Sequence, residues 1–184
     1  MITSIDLKDV LARTVGASYG DLVTRPTGAK VRSSIEATLG GQPADAGVVL
    51  DFSSVRILDC SCADEVVAKL LLRRPTGPAG PGWWFVVRGL SEVHAEEIDH
   101  VLRRQGLALV VEEPDGSIRL LGEVGASAAA AWRIVLERGG ADEAEVAAAL
   151  VLSAEDAHQA LEALTGAGIV RRAGGRYQPL TSAA

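Results

Sequence analysis

The chain has 184 residues, two cysteines, one methionine and a formal net charge of −6. Its hydrophobic fraction of 48 % and charged fraction of 23 % are typical of a globular protein and exclude disorder as the main state. The apolar runs are shorter than the ~18 residues of a membrane-spanning helix, and no signal peptide is recognised at the N-terminus. Two cysteines separated by one residue cannot form a disulfide framework. We therefore expect a cytoplasmic protein that neither spans nor binds a membrane.

Strands and helices alternate in the first two thirds of the chain. Apolar spacing predicts helices over 29–39, 62–74 and 91–105, strands over 48–52 and 83–87, and a closing hairpin of 107–112 with 117–121. Loops are expected at 40–47 and at 75–82, where three prolines and three glycines fill eight positions. This order predicts an α/β domain over 1–124, with helices packed on a mixed sheet.

A dense group of polar residues follows the short apolar run at 55–58. Asp59, Cys60 and Ser61 come first, and Asp64 and Glu65 fall in the first turn of the predicted helix. Ser61 and Asp64 have the spacing of a capping box, and carboxylates are favourable at the positive end of a helix. One interpretation of this turn is therefore purely structural, with Ser61 as the helix cap.

The same segment resembles a STAS-like family of unknown function. The resemblance rests on 50–55 (LDFSSV), on 59–65 (DCSCADE) and on 24–32 (TRPTGAKVR), which looks like the family's Arg-x-x-Gly-x-x-x-Arg segment. It covers approximately residues 5–110. More distantly, the layout is similar to the STAS domains of anti-sigma-factor antagonists, which are small α/β proteins that bind partner-switching kinases and anti-sigma factors.

The resemblance implies a binding role for the turn. It implies that Asp59, Cys60, Ser61, Asp64 and Glu65 contact a protein partner, such as a kinase or an anti-sigma-type regulator. In the anti-sigma-factor antagonists, a serine directly after the aspartate is phosphorylated at the helix start, and the added charge changes partner choice. Here that position is Cys60 and the hydroxyl comes one residue later, so phosphorylation of Ser61 is a secondary hypothesis.

No pattern in the sequence points to a cofactor, a metal or catalysis. Both Cys60 and Cys62 are expected to be small buried hydrophobic residues, because the neighbouring carboxylates oppose a reactive thiolate. His94, His100 and His158 show no paired metal-ligand spacing. Neither a glycine-rich phosphate loop nor a nucleophile elbow is recognised. A thiol-dependent activity at Cys60 is the one enzymatic alternative.

The remaining residues, 125–184, have a different character. Helices are predicted over 128–137, over 143–150 and from the Ser153 cap to Gly166, and two strands over 169–172 and 176–180 follow. Three helices followed by a hairpin resemble a winged helix-turn-helix domain. That resemblance implies a DNA-binding module whose third helix enters the major groove while the hairpin contacts phosphates.

The candidate DNA contacts lie on the third helix and the hairpin. They are His158 and Gln159 for base edges, and Arg171, Arg172 and Arg176 for phosphates of double-stranded DNA. A homodimer would double these arginines. However, residues 125–184 hold five arginines against seven acidic residues, and residues 1–124 hold 13 basic against 17 acidic residues. Two hypotheses stay open: a non-enzymatic transcription regulator whose STAS-like domain controls a DNA-binding winged helix, and an adaptor whose winged helix does not bind DNA.

Overall fold

The structure is a computed structural model that describes residues 2–16, 20–43, 45–74, 76–77 and 80–182, with only the backbone of 76–77 and 80–81. The elements are, in chain order, β1 (Ile2–Asp6), α1 (Leu7–Val15), β2 (Asp21–Leu22), α2 (Arg25–Leu39), β3 (Ala46–Asp51), β4 (Ile57–Leu58), α3 (Cys60–Ala63), a π-helical turn (Asp64–Ala68), α4 (Lys69–Leu72), β5 (Thr76–Gly77), β6 (Gly80–Pro81), β7 (Trp83–Arg88), α5 (Glu92–Gln105), β8 (Ala108–Glu112), β9 (Ile118–Gly122), α6 (Ala126–Glu137), α7 (Glu143–Leu150), α8 (Ala154–Ala167), β10 (Val170–Ala173) and β11 (Arg176–Pro179). No helix in these ranges is long and apolar enough to cross a membrane.

A mixed five-stranded sheet organises the fold, which is of the α/β class. Its strand order is β1-β3-β7-β8-β9, with β9 antiparallel to β8 and the other four strands parallel. Each parallel strand is added on the same side of the one before it. Because such crossovers are right-handed, the connecting helices all lie on one face of the sheet. There α1, α2, α5 and the helix that starts at Cys60 bury a core with Leu50, Phe85 and Val87 of the sheet.

The second face of the sheet is covered by the C-terminal helices. Trp84 and Val86 of β7 and Ala108 and Val110 of β8 share one buried cluster with residues of α6, α7, α8 and the β10–β11 hairpin. The indole of Trp84 fits over Gly47, where a Cβ would lie 2.5 Å from two of its ring carbons. Both faces of the central strands are therefore buried, which explains their nearly continuous apolar sequence.

Several sequence predictions are confirmed and others need correction. The helices and strands predicted between 29 and 180 are present, with ends that differ by a few residues. The prediction that 75–82 holds no strand is wrong, because β5 and β6 form a short antiparallel pair. The sequence interpretation did not include β1 and α1, where Asp6 accepts hydrogen bonds from the backbone of Lys8 and Asp9 and begins the helix. The predicted boundary near 124 falls between β9 and α6 and stays a prediction.

Candidate functional site

Asp59 connects the end of β4 to the start of α3. Its Oδ1 accepts hydrogen bonds from the backbone N–H of Cys62 at 2.7 Å and from the hydroxyl of Ser61 at 2.8 Å, and its Oδ2 accepts one from the backbone N–H of Thr24 at 2.9 Å. Burial raises the pKa of Asp59, but these hydrogen bonds outweigh it and the net pKa is below the ordinary value. The prediction of Ser61 as the helix cap is therefore wrong. Asp59 is the cap, and the helix begins at Cys60.

The backbone of Thr24 is held in an unusual conformation opposite this turn. Its φ is +74°, which a β-branched residue rarely adopts. Besides the bond to Asp59, its carbonyl oxygen accepts a contact from Sγ of Cys62 at 3.0 Å and a hydrogen bond from the backbone N–H of Gly28. The start of α2 and the start of α3 are thus fixed to each other by polar contacts, which compensate for the backbone strain.

Glu65 lies in the π-helical turn, is only 3 % exposed and is surrounded by cations. Its carboxylate pairs with Arg25 at 3.0 Å, with Arg32 at 3.3 Å and with Lys69, and Arg25 also bonds Asp64 at 2.6 Å. Burial raises the pKa of Glu65, but the hydrogen bonds from Lys69 and Arg25 outweigh it and the pKa is lowered overall. A buried carboxylate is stable in this position because it is paired and hydrogen-bonded.

Gly28 allows the two helices to approach closely enough for these ion pairs. A Cβ at this position would lie 2.9 Å from Cβ of Glu65 and 3.1 Å from Cα of Cys62. Arg25 and Arg32 are seven residues apart and therefore share one face of α2, on both sides of this contact. The segment 24–32 and the turn at 59–65, which the family resemblance singled out separately, are adjacent in the structure.

The two cysteines occupy different environments. Cys62 is fully buried, and burial followed by the nearby charge of Asp59 raises the pKa of its thiol to about 12. Cys60 is half-buried, so the expectation that both are buried is correct for Cys62 only. His94 is buried and closes the capping box of α5 with Ser91. Within the described ranges, no three residues among His, Cys, Asp and Glu are grouped to hold a metal ion.

Three exposed apolar residues lie on elements that adjoin the Asp59 turn. Among the described residues only five large hydrophobic side chains are exposed, and three of them are Val23 (36 %), Ile57 (44 %) and Val93 (63 %). Val23 directly follows β2, which pairs with β4, while Val93 is in the first turn of α5, which contacts both β4 and α3. We call Val23, Ile57 and Val93, with the half-buried Cys60 and Ser61, the carboxyl-edge patch, because each of them lies on a segment that follows a parallel strand.

The predicted hairpin arginines make different contacts. The guanidinium of Arg171 lies 5.8 Å from the ring centroid of Trp84, and its buried Nε has no hydrogen-bond partner among the described residues. Arg176 donates to the carbonyl oxygen of Gly140 at 2.9 Å and pairs with Glu145 at 2.8 Å. Arg172 is exposed, and its guanidinium lies 5.4 Å from the ring centroid of Tyr177. All three arginines therefore contact other groups of the protein.

The predicted base-contacting residues lie on the exposed side of α8. His158 places Nδ1 3.0 Å from a carboxylate oxygen of Glu143, and Gln159 is exposed. The hydroxyl of Tyr177 lies 3.0 Å from Glu143 and 3.1 Å from Glu162. Burial, followed by the hydrogen bonds to these carboxylates, raises the pKa of Tyr177. Acidic groups therefore stand beside the residues proposed to contact bases.

No protein-family model matches the chain, and no curated protein matches it either. Sequence reasoning singled out the segment 24–32 but not the pairing of Arg25 and Arg32 with Glu65, and among the candidate site residues it missed the exposed Val23, Ile57 and Val93. For the arginines a signal was present, since they flank a glycine at helical spacing. For the apolar residues there was none, because exposure depends on the packed structure.

Proposed function

We propose that the protein is a non-enzymatic regulator that binds a protein partner through the carboxyl-edge patch, in the manner of partner-switching adaptors. In this proposal the sheet and the helices on its first face form a STAS-like domain, and α6–α8 with the β10–β11 hairpin form a winged helix that serves protein contacts. The observation that carries the proposal is the exposure of Val23, Ile57 and Val93 on elements that adjoin the Asp59 turn. Single exposed apolar residues are ordinary, but several on adjoining elements favour an interaction site.

The rigidity of the turn supports this role. Asp59 accepts three hydrogen bonds from two segments of the chain. The ion pairs of Glu65 hold α2 against the helix that starts at Cys60. A preformed surface loses little conformational entropy when it binds, so more of the contact free energy remains as affinity. Ile57 and Val93 would then act as the central apolar contacts, with Ser61 and Arg25 at the polar rim.

The charges of the C-terminal helices favour the adaptor over a DNA reader. Binding to a duplex depends on cations that replace counterions along the phosphates. Arg176 is already paired with Glu145, and Arg171 stacks on Trp84. On α8 the exposed Glu155 and Glu162 would face the phosphates. The surface that would enter the groove is therefore acidic.

A DNA-binding regulator is the second candidate. The exposed Arg172 at the hairpin, together with His158 and Gln159 on the open side of α8, favours it, because all three side chains can reach a ligand without unpacking the core. In that case the STAS-like domain would sense a partner and the winged helix would deliver the signal to DNA.

Affinity capture with quantitative mass spectrometry tests the proposed patch. The tagged protein and its Ile57→Asp variant would be introduced into its native cells and recovered under identical conditions. We expect at least one protein captured by the unchanged chain to be lost with Ile57→Asp and kept with Val151→Asp, a matched control at a residue that is 92 % exposed and outside the patch. Identical captured sets for both variants would refute the proposal.

Duplex binding separates the two candidates. Fluorescence anisotropy with a pool of random duplexes at low salt measures affinity directly. The adaptor hypothesis predicts no binding above that of an acidic control protein. Binding that weakens steeply with salt, and whose salt dependence is reduced in Arg172→Ala, would instead establish the DNA-binding candidate.

A further inference from the structure

The edge strand β1 presents a complete row of backbone groups that no described strand uses. It pairs with β3 along one side only, over all five residues from Ile2 to Asp6. Ser4, at its centre, is exposed, whereas Ile5 points into the first core and is 6 % exposed. An edge of this kind is a template for the addition of another extended strand.

β1 also lacks the features with which proteins block such edges. Its sequence ITSID has no proline, lysine, arginine or glycine. Its one charge, on Asp6, is at the end of the strand and accepts hydrogen bonds from the first turn of α1. Edge strands are ordinarily protected by a central charge, a proline or a bulge. Among the residues that the structure describes, β1 therefore has no such protection along its length.

The opposite edge of the sheet is different. β9 carries Arg119 near its centre, and this side chain pairs with Glu113. The strand ends at Gly122, whose φ is +83° and at which a Cβ would lie 2.1 Å from the carbonyl oxygen of Leu107. A central charge and a sharp turn at its end limit pairing at β9. The contrast assigns strand addition to the β1 edge.

We propose that β1 pairs with β1 of a second copy of this chain, antiparallel and around a twofold axis at Ser4. Centring on Ser4 is the register that pairs all five residues of both strands. It sets Ser4 opposite Ser4 and Thr3 opposite Ile5 of the second copy, which is a favourable β-branched pair on one face. The result is a continuous ten-stranded sheet, and the interface is isologous, as in most homodimers.

Sedimentation velocity tests the dimer, with the purification tag at the C-terminus, away from β1. Because a single pair of strands is a small interface, we expect a monomer–dimer equilibrium that shifts toward the dimer between about 5 and 300 µM. Ser4→Lys places two lysines directly opposite each other at the axis, and like charges in that position oppose pairing. This variant should raise the dimer dissociation constant at least tenfold, while its melting temperature is unchanged at a protein concentration below the dimerisation range.

A cross-link tests the register. In the Cys60→Ser background, a short bifunctional thiol reagent should join Ser4→Cys of two copies, because opposite residues of an antiparallel pair have Cβ atoms about 4.5–5.5 Å apart. Ser117→Cys, beside the opposite edge, is the matched control and should not cross-link.

A monomer at every concentration overturns the proposal, and so does a dimer that Ser4→Lys leaves intact and Ser4→Cys fails to cross-link. The proposed dimer does not involve the carboxyl-edge patch, so Ile57→Asp should leave the dimer unchanged.

Discussion

Replacing Glu65 by glutamine keeps the size of the side chain and removes the charge at the centre of the ion-pair cluster. Breaking a buried ion pair costs about 3–5 kcal/mol when the remaining charge is left uncompensated. Arg32, the most buried of the cations, keeps a second carboxylate because Glu36 lies 2.9 Å away. We therefore expect Glu65→Gln to lower the free energy of unfolding by about 2–3 kcal/mol, a smaller loss than for an isolated pair. For a chain of this length that corresponds to a melting temperature lower by about 5–10 °C.

The pH dependence of this loss distinguishes an ion-pair effect from a packing effect. In the folded protein the pKa of Glu65 is lowered from its ordinary value of 4.5, because the hydrogen bonds from Lys69 and Arg25 outweigh burial. A carboxyl whose folded-state pKa is depressed contributes stability above its unfolded pKa and loses it as the pH falls through the folded value. Urea unfolding between pH 7 and pH 3 should therefore show the difference between the two proteins at its full size near neutrality and shrinking below pH 4.5.

Two results would refute this reasoning. One is a Glu65→Gln protein within about 0.5 kcal/mol of the unchanged protein at neutral pH, which is the range of surface substitutions. The other is a difference that stays constant as the pH falls, which would assign the loss to packing. The matched control is Glu123→Gln. Glu123 is 70 % exposed, and its contact with Arg103 is long, at 4.0 Å. Surface pairs of this kind contribute little.

Three further perturbations have direct measurements. Val151 has a φ of +54° and is 92 % exposed, so Val151→Asn should raise the free energy of unfolding by about 1 kcal/mol, because asparagine tolerates this backbone region. Gly47→Ala should lower it by about 1–3 kcal/mol and change the near-UV circular dichroism of Trp84, because the added methyl overlaps the indole. Intact-mass analysis after brief alkylation at pH 8 should show one modified thiol, Cys60, because Cys62 is buried with a pKa of about 12.

Each of these expectations has a control. Val93→Asn replaces an exposed valine in a regular helix and should leave the stability unchanged; an equal gain there would exclude backbone strain as the cause. Gly41→Ala adds a methyl group into open space, with no atom within 4 Å, and should be neutral. The Cys62→Ser variant should still take up one label at the same rate, and loss of the label would show that Cys62 is the reactive thiol.

Local sequence signals were sufficient for much of the fold. The apolar run at 48–50 predicted a buried strand, and the Ser153 cap placed the start of α8 correctly. α1 was missed because it has only nine residues and starts directly after a strand, with no loop between them. The coverage of the second sheet face could not be predicted, because it depends on packing between Trp84 and helices more than forty residues later in the chain.

The candidate site was predictable in its location and not in its contacts. The polar turn at 59–65 was visible because an acidic group follows an apolar run. The sequence could not show that Asp59, one residue after the strand, would cap the helix in place of Ser61, since that depends on where the chain turns. Nor could it show that Arg171 would stack on Trp84, because the contacts of a hairpin arginine depend on which residues pack next to the hairpin.

The apolar second face of the sheet also limits how the C-terminal helices can diverge. Trp84, Val86, Ala108 and Val110 need an apolar cover, and a fragment ending near 124 would expose them as one contiguous surface that favours aggregation. The inward positions of α6–α8 are therefore constrained by the stability of the sheet, whatever these helices bind. Their outward positions carry no such constraint, so a new binding specificity can evolve there without loss of the fold.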